Sequence, residues 1–200
     1  MLTRPPMSRI GSEPADAVFT ALAAAGMPYA VVRHADLAGP VHGPADVARL
    51  LSIDLDQIAK TLLVAEDPRR DAEDPGRRRC ALVVLAVTDR AALGAVAATL
   101  GWAGAVLASP SLLATRLGQP PTGVSPIGSD LPVLVDPSLA RNPDVLVGSG
   151  TAGVEIGIDV YSLVALCGAR WGAVSTRDRS HRSERSIRTR AVTSPEEMHP

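Results

Sequence analysis

Lys60 is the residue whose type most clearly suggests chemistry in this 200-residue chain. It is the only lysine, and the other 19 of the 20 basic residues are arginine. Arginine is planar, bulky and permanently charged, whereas lysine is a compact point charge whose pKa burial can shift. We therefore interpret Lys60 as a position where guanidinium cannot replace ammonium. The alternative is a surface lysine retained by chance.

Two glycine-bearing segments follow Lys60 along the chain. The first, Thr122–Gly128, has the sequence Thr-Gly-Val-Ser-Pro-Ile-Gly, and the second, Val145–Gly150, ends in Gly-Ser-Gly. Glycine permits close backbone approach and tight turns, so we expect Gly148 and Gly150 to form a turn that lines a pocket. Together with Lys60, these segments predict a site built from loop backbone and one positive charge.

The sequence patterns of nucleophilic and metal-dependent enzymes are missing. No G-x-S-x-G elbow occurs, and Ser125 lies between Val124 and Pro126, which does not fit a strand-to-helix elbow. The four histidines form no HxxxH or HxH pair and no CxxC is present, so no metal site is predicted. Nucleotide-binding glycine loops are also missing. We predict no cofactor and interpret Lys60 as an electrostatic clamp rather than a nucleophile.

The bulk composition limits the partners. The formal net charge is −1, so no global basic field exists to hold long duplex nucleic acid, and an RNA partner would be bound locally. Cys80 and Cys167 lie in apolar runs typical of buried thiols in a reducing, cytoplasmic compartment. The uncharged stretch Ala91–Thr115 is long enough to span a bilayer. However, it is rich in alanine and glycine, so helices and a strand explain it better and no membrane partner is predicted.

Hydrophobic spacing and capping residues predict alternating strands and helices. Asp89 and Ser109 are expected to cap helices, and Asp136 is expected to cap the turn at Pro137. The predicted helices are Glu13–Ala25 (N-cap Ser12, with Pro14 in its first turn), Pro44–Leu51, Asp89–Leu100, Pro110–Gly118 and Asp159–Leu166. The predicted strands are Tyr29–His34, Lys60–Ala65, Cys80–Val87, Pro132–Val135, Val145–Val147, Val154–Ile158 and Trp171–Val174.

Composition predicts one domain with a tail at each end. Residues 1–11 are expected to be disordered, residues 12–175 to form the domain, and the Arg/Ser-rich residues 176–200 to be a disordered tail that either helps hold RNA or is inert. Residues 67–79 are expected to be a long loop between two strands. Its arginines 77–79 either form a solvated edge or touch phosphate. Because helices are inserted between strands of mixed direction, we predict an α+β, or mixed α/β, single domain.

Three elements in this order resemble the YbaK and ProX family of aminoacyl-tRNA deacylases, the free-standing relatives of the editing domain in prolyl-tRNA synthetase. They are Ala59–Val64, preceded by the helix 45–51, the loop Thr122–Gly128, and Val145–Gly150 leading into Gly153–Ile156. The resemblance covers roughly residues 13–174, the size of one ordinary domain. It implies a mixed, barrel-like β-sheet with flanking helices.

The resemblance also implies roles for particular residues. The lysine at the position of Lys60 is the key functional side chain of that family, and the loop that matches Thr122–Pro126 holds the substrate near its carbonyl through its backbone. Thr122 departs from the family pattern, which has glycine there, and its Cβ would restrict φ and narrow the pocket. The residues expected to bind substrate are His34, Thr122, Gly123, Val124, Ser125, Pro126, Gly148 and Glu155.

His34 and Glu155 each keep a structural alternative. His34 corresponds to a position where relatives carry Tyr or His beside the pocket, and its alternative is a histidine at the surface end of a strand. Glu155 corresponds to an acidic position near the site, and its alternative is an ion pair with a nearby arginine. Lys60 is expected to hold the phosphate or ribose of the terminal adenosine, or to polarise the ester.

The implied activity is trans-editing, the hydrolysis of the ester that joins a wrong amino acid to tRNA. Loop amides would stabilise the developing oxyanion, and the ribose 2′-hydroxyl would assist, so that the protein needs no general base. Cys- or Ala-charged tRNA for proline is the expected substrate, and prolyl-tRNA synthetase is a candidate partner. The alternatives are a non-catalytic module that binds aminoacyl-tRNA or a synthetase, which Thr122 favours, and a hydrolase of another aminoacyl or acyl ester.

Overall fold

The computed structural model describes residues 15–67 and 78–177 of the chain. Within these ranges it has five α-helices and ten strands, with both parallel and antiparallel pairing, which confirms the predicted mixed α+β class. The helices are α1 Asp16–Ala25, α2 Pro44–Leu51, α3 Leu93–Leu100, α4 Pro110–Leu117 and α5 Val160–Leu166. The strands are β1 Ala30–Arg33, β2 Ala59–Glu66, β3 Cys80–Ala86, β4 Asp89–Ala91, β5 Ala105–Leu107, β6 Val133–Val135, β7 Asp144–Gly148, β8 Val154–Asp159, β9 Arg170–Trp171 and β10 Ser175–Arg177.

A five-stranded sheet in the order β5-β2-β3-β6-β9 forms the centre of the domain. Its longest pairing is the antiparallel ladder of β2 and β3, which runs from Ala59 opposite Ala86 to Ala65 opposite Cys80. The β3–β6 and β6–β9 pairs are parallel. Parallel neighbours need a crossover connection, and the chain between β3 and β6 supplies one that contains α3 and α4.

A second sheet, in the antiparallel order β1-β8-β7, lies against the first. The two sheets are joined at one isolated parallel bridge between Ile58 and Leu146. A closed barrel has no strand edges, but β1 and β9 are edge strands of their sheets. The sheets of the described residues therefore do not close into a barrel.

The main core fills the space between these sheets. Leu63 and Leu82 from the central sheet and Ile156 from β8 contribute to it, each 3% exposed or less, and α1 and α5 cover it through Leu22 and Leu163. A second cluster, around Trp102, packs on the other face of the central sheet with α3. The helix α2 buries Val47 and Ala48 against Ile58 and Leu146, where the two sheets meet.

Of the predicted side-chain caps that lie among the described residues, Ser109 and Asp136 are confirmed. The Ser109 side chain accepts a hydrogen bond from the amide of Leu112 at 3.2 Å, and Asp159 accepts one from Ser162 at 2.8 Å. Asp136 caps its turn and also accepts a bond from the amide of Val174 at 2.9 Å. The prediction for Asp89 is wrong.

Asp89 lies in β4 and not at the start of a helix. Its Oδ2 accepts a hydrogen bond from the hydroxyl of Ser138 at 3.2 Å, and α3 starts at Leu93 without a side-chain cap. A short strand between the buried strand β3 and a helix carries too few residues to show a hydrophobic period.

The domain ends differ slightly from the prediction. The helix α1 ends at Ala25, as predicted, and the next residue, Gly26, has a φ of +62°. Ser12 and Pro14 lie outside the described residues. The strand β10 extends regular structure to Arg177, two residues past the predicted boundary. Most of the predicted 67–79 loop and both tails lie outside the described ranges. No helix in those ranges is both long and apolar enough to cross a membrane.

Candidate active site

Lys60 is the second residue of β2, at the end of the central sheet nearest the second sheet. It stands opposite Leu85 in the ladder, and its side chain is half-buried. The ammonium Nζ donates a hydrogen bond to the carbonyl oxygen of Val87 at 3.1 Å, just past the end of β3. The strand pair therefore holds the stem of Lys60 and fixes where its charge can reach.

A cleft of about 530 Å³ opens beside Lys60, and most of its lining is apolar. Because β5 pairs with β2 only from Val64 to Glu66, the first half of β2 has an edge that remains open to this cleft. The lining consists of His34, Val41, His42, Gly43, Pro44, Val47, Ile58, Ala59, Lys60, Thr61, Leu62, Val87, Pro121, Thr122, Gly123, Val124, Gly148, Gly153 and Glu155.

Gly123 and Gly148 let the loop that contains Thr122–Pro126 lie directly on the turn after β7. A Cβ on Gly123 would come within 2.7 Å of the carbonyl oxygen of Thr151, and one on Gly148 would overlap the carbonyl oxygen of Val124. The Gly123 carbonyl accepts a hydrogen bond from the amide of Gly150 at 2.7 Å. These glycines are therefore needed for close approach of two backbones.

The loop offers fewer amides to a ligand than the sequence suggested. The amide of Gly123 donates to the carbonyl of Pro120 at 3.1 Å, and that of Ser125 donates to the side chain of Gln119 at 2.9 Å. The amide of Val124 has no hydrogen-bond partner within residues 15–67 and 78–177. Among the amides of Gly123, Val124 and Ser125, only that of Val124 remains to stabilise negative charge on a ligand.

Ser125 and Pro126 are buried and are not among the described residues that line the cleft. The hydroxyl of Ser125 accepts a hydrogen bond from the amide of Ile127 at 3.1 Å, so it stabilises the loop from behind. These two expected substrate-binding residues therefore support the wall of the cleft, because a loop that turns back on itself buries its second half.

Thr122 is exposed at the rim of the cleft. Among the described non-glycine residues only Ser52 has a positive φ, so Thr122 has a backbone conformation that any residue adopts. The restriction that its Cβ places on φ therefore causes no backbone strain at this position. The residue that cannot carry a side chain is the next one, Gly123.

His34 and Glu155 form a contact on the opposite wall. The Nε2 atom of His34 lies 3.3 Å from Oε1 of Glu155, and the backbone amide of His34 donates to the carbonyl of Gly153 at 2.9 Å. Burial raises the pKa of the Glu155 carboxyl, and the neighbouring His34 partly opposes that shift. The structural alternative for Glu155, an ion pair with arginine, is replaced by this contact with histidine.

Thr61 was not singled out by the sequence. It lines the cleft, is 8% exposed, and its hydroxyl oxygen has no hydrogen-bond partner among the described residues. The sequence signal that could have identified Thr61 is its polar side chain at the start of an otherwise apolar run, Thr61–Ala65. The wall formed by Val41–Pro44 and Val47 carried no such signal, because its place depends on how α2 packs on the sheets.

An ammonium, an unpaired loop amide and a half-buried carboxylate thus surround a cleft with apolar walls. Such a site can bind a ligand that carries both signs of charge, and it can stabilise negative charge that develops on a ligand oxygen. Within the described ranges no group of three His, Cys, Asp or Glu side chains is placed to hold a metal ion.

Residues 38–166 match the family model of the aminoacyl-tRNA editing domain. No curated protein matches the chain in sequence. A solved structure described as a "putative trans-editing enzyme for prolyl tRNA synthetase" is similar at 23% identity with a TM-score of 0.66, covering 80% of this chain and 95% of that chain. A hypothetical protein of known structure is similar at 23% identity with a TM-score of 0.68, covering 80% and 100%. At this identity the solved structures establish the fold.

Proposed function

Because the chain belongs to the family of aminoacyl-tRNA editing domains, whose model matches more than half of its length, we propose that it hydrolyses the ester of mischarged aminoacyl-tRNA in the cytoplasm. One observation carries the proposal. Lys60, the residue that composition singles out, lines the same cleft as the Gly123–Val124 loop. The tRNA for proline is the proposed carrier, with alanine or cysteine as the amino acid removed, and prolyl-tRNA synthetase is a candidate partner. The description of one structural neighbour supports that choice.

The proposed reaction needs little from the protein beyond position and charge. A water oxygen attacks the ester carbonyl, a tetrahedral oxyanion forms, and the bond from carbon to the ribose oxygen breaks. The ribose oxygen takes up a proton, which gives free amino acid and intact tRNA. The amide of Val124 is the proposed oxyanion donor, and Lys60 holds the nearby phosphate or ribose. The ribose 2′-hydroxyl assists proton movement.

The apolar lining of the cleft supports an apolar amino-acid side chain. The described walls include Val47, Leu62 and Val124, and a side chain such as the methyl of alanine or the thiol of cysteine would contact these residues without needing a polar partner. Apolar pockets separate ligands that differ by one methylene only modestly, by about 10- to 200-fold. Discrimination between alanine and cysteine is therefore expected to be partial.

A deacylation assay tests this proposal. Purified protein is given Ala-, Cys-, Ser- and Pro-charged tRNA for proline, and release of the amino acid is measured. We expect turnover of the Ala or Cys ester, and a loss of about 10- to 150-fold in kcat/KM for Lys60→Ala, the usual value of a charged hydrogen bond. Lys60→Arg should also lose activity, because guanidinium cannot occupy the space of a point charge. Arg116→Ala, on the exposed face of α4, is the matched control.

The outcomes separate the alternatives. Binding of charged tRNA or of the synthetase without turnover of any ester would replace the enzyme by a binding module. Faster hydrolysis of other acyl esters than of the Ala or Cys ester would show that the substrate is a different ester. Equal turnover by wild type and Lys60→Ala would remove the proposed role of Lys60 and leave the hydrolase in place.

A further inference from the structure

Unsatisfied polar atoms are concentrated at the cleft. Among the described residues, three buried side-chain atoms have no hydrogen-bond partner: Thr61 Oγ1, Asp89 Oδ1 and Glu155 Oε2. Thr61 and Glu155 both line the cleft, whereas Asp89 does not. Buried polar groups are nearly always paired, and each exception calls for an explanation. Because Thr61 Oγ1 and Glu155 Oε2 lie at the same cleft, we infer that a bound ligand supplies their hydrogen-bond partners.

The carboxylate of Glu155 has unused capacity for hydrogen bonds. An ionised carboxylate can accept about four, yet this one has a single contact, at 3.3 Å, with the ring of His34. Its side chain is 17% exposed, and Oε2 lies against the protein. The terminal torsion of glutamate is soft, so a small rotation of the carboxylate turns either oxygen toward the cleft. His34 limits that rotation and so positions the group.

The cleft carries one negatively charged and one positively charged side chain at different places in its lining. Glu155 is the one acid among the described residues that line it, and Lys60 is the one permanent cation. The ester end of aminoacyl-tRNA has the same polarity, with an α-ammonium next to the reacting carbonyl and a phosphodiester on the far side of the ribose. A ligand of that kind would pair its ammonium with the acid and its phosphate with the lysine.

We propose that Glu155 binds the α-ammonium of the amino acid, and that the cleft therefore selects esters with an unblocked amino group. This inference rests on the proposed function. It excludes N-acylated and deaminated esters as good substrates, because a ligand without the ammonium would cover the half-buried carboxylate of Glu155 and provide no cation to pair with it. Glu155 is thus a specificity residue, and His34 positions it.

The test compares two esters that differ in one group. Alanyl-tRNA is converted by deamination into lactyl-tRNA, in which a hydroxyl replaces the ammonium. Each rate is divided by the uncatalysed rate of the same ester, because the ammonium itself activates the carbonyl. We expect wild type to prefer the alanyl ester by about 10- to 150-fold, the range for a charged hydrogen bond. In Glu155→Gln this preference should fall to a few-fold or less, whatever the change in overall activity.

Asp36→Asn is the matched control. It removes an exposed acid from the short helix that begins at His34 and does not line the cleft, so the preference should persist. A wild-type preference near one, or a full preference retained by Glu155→Gln, would overturn the assignment and leave the hydrolase in place. Failure of wild type to cleave either ester would instead overturn the proposed function, and this inference with it.

Discussion

The two halves of β2 differ in how they satisfy their polar groups. From Leu63 to Glu66 every residue is buried and β5 pairs on the outer edge, whereas Lys60 and Leu62 are only partly buried and no described strand pairs beside them there. The buried half contributes apolar packing, and Glu66 is paired with Arg79. The open half presents a charged side chain and an unpaired hydroxyl to the cleft. The second half of β2 therefore contributes mainly to the stability of the fold, and the first half contributes mainly to the cleft.

Adjacent leucines provide the largest test of this contrast. Leu63→Ala should lower the free energy of unfolding by about 2–5 kcal/mol, since it removes a 3% exposed side chain and leaves a cavity. Leu62→Ala should cost clearly less, because Leu62 is partly solvent-exposed at the cleft. Urea unfolding of both variants measures the difference. Equal losses would mean that the two halves of β2 carry similar packing.

Replacement of Gly123 tests the other wall. The new Cβ in Gly123→Ala would lie 2.7 Å from the carbonyl of Thr151, so the loop must move away from the turn. We expect a loss of about 1–3 kcal/mol in stability, as for other overpacked sites, together with a larger relative loss of deacylase activity. Gly94→Ala, on α3 with open space around its Cβ, is the control and should be neutral or stabilising. If Gly123→Ala retains the same deacylase activity as Gly94→Ala, the loop that contains Gly123 is not part of the active site.

The sequence predicted local features better than contacts between distant segments. The bounds of α2 and the Ser109 cap follow from capping residues and spacing, and both agree with the structure. The open sheets could not be predicted, because strand partners depend on long-range packing. Lys60 was found through composition, but Thr61 was missed, because one threonine in an apolar strand looks like an ordinary β-former.

Thr61→Val tests whether the missed residue belongs to the site. Valine has a similar shape and removes the unpaired hydroxyl, so stability should stay the same or rise by up to about 1 kcal/mol, because burial of an unpaired hydroxyl is costly. If a ligand bonds to this hydroxyl, KM should rise about 5- to 10-fold, the value of one neutral hydrogen bond. Thermal unfolding and deacylation kinetics give the two numbers. A stability gain with unchanged KM would assign Thr61 to packing alone.

The smallest expected effect is a difference in pH dependence between two acids, the half-buried Glu155 and the buried Asp136. Burial raises the pKa of Glu155 above its ordinary value of 4.5. For Asp136 burial also acts upward, but hydrogen bonds from Ser138, Ser175 and Val174 outweigh it and lower the pKa below 3.8. A raised pKa means that the folded protein binds a proton more tightly than the unfolded chain. The contribution of Glu155 to the free energy of unfolding should therefore decrease as the pH rises from 4.5 through the pKa of the folded state.

Asp136 should behave in the opposite way, with a stabilising contribution above pH 3.8 that is lost as the pH falls through its folded pKa. Urea titrations from pH 3 to 7 on Glu155→Gln and Asp136→Asn measure both. Relative to wild type, the Gln variant should gain stability with rising pH, and the Asn variant should lose it. The two differences have opposite signs because Asp136 is fully paired by the fold, whereas Glu155 keeps an oxygen for which the fold provides no partner. Parallel pH profiles for the two variants would contradict that distinction, and with it the separation between structural and ligand-binding acids.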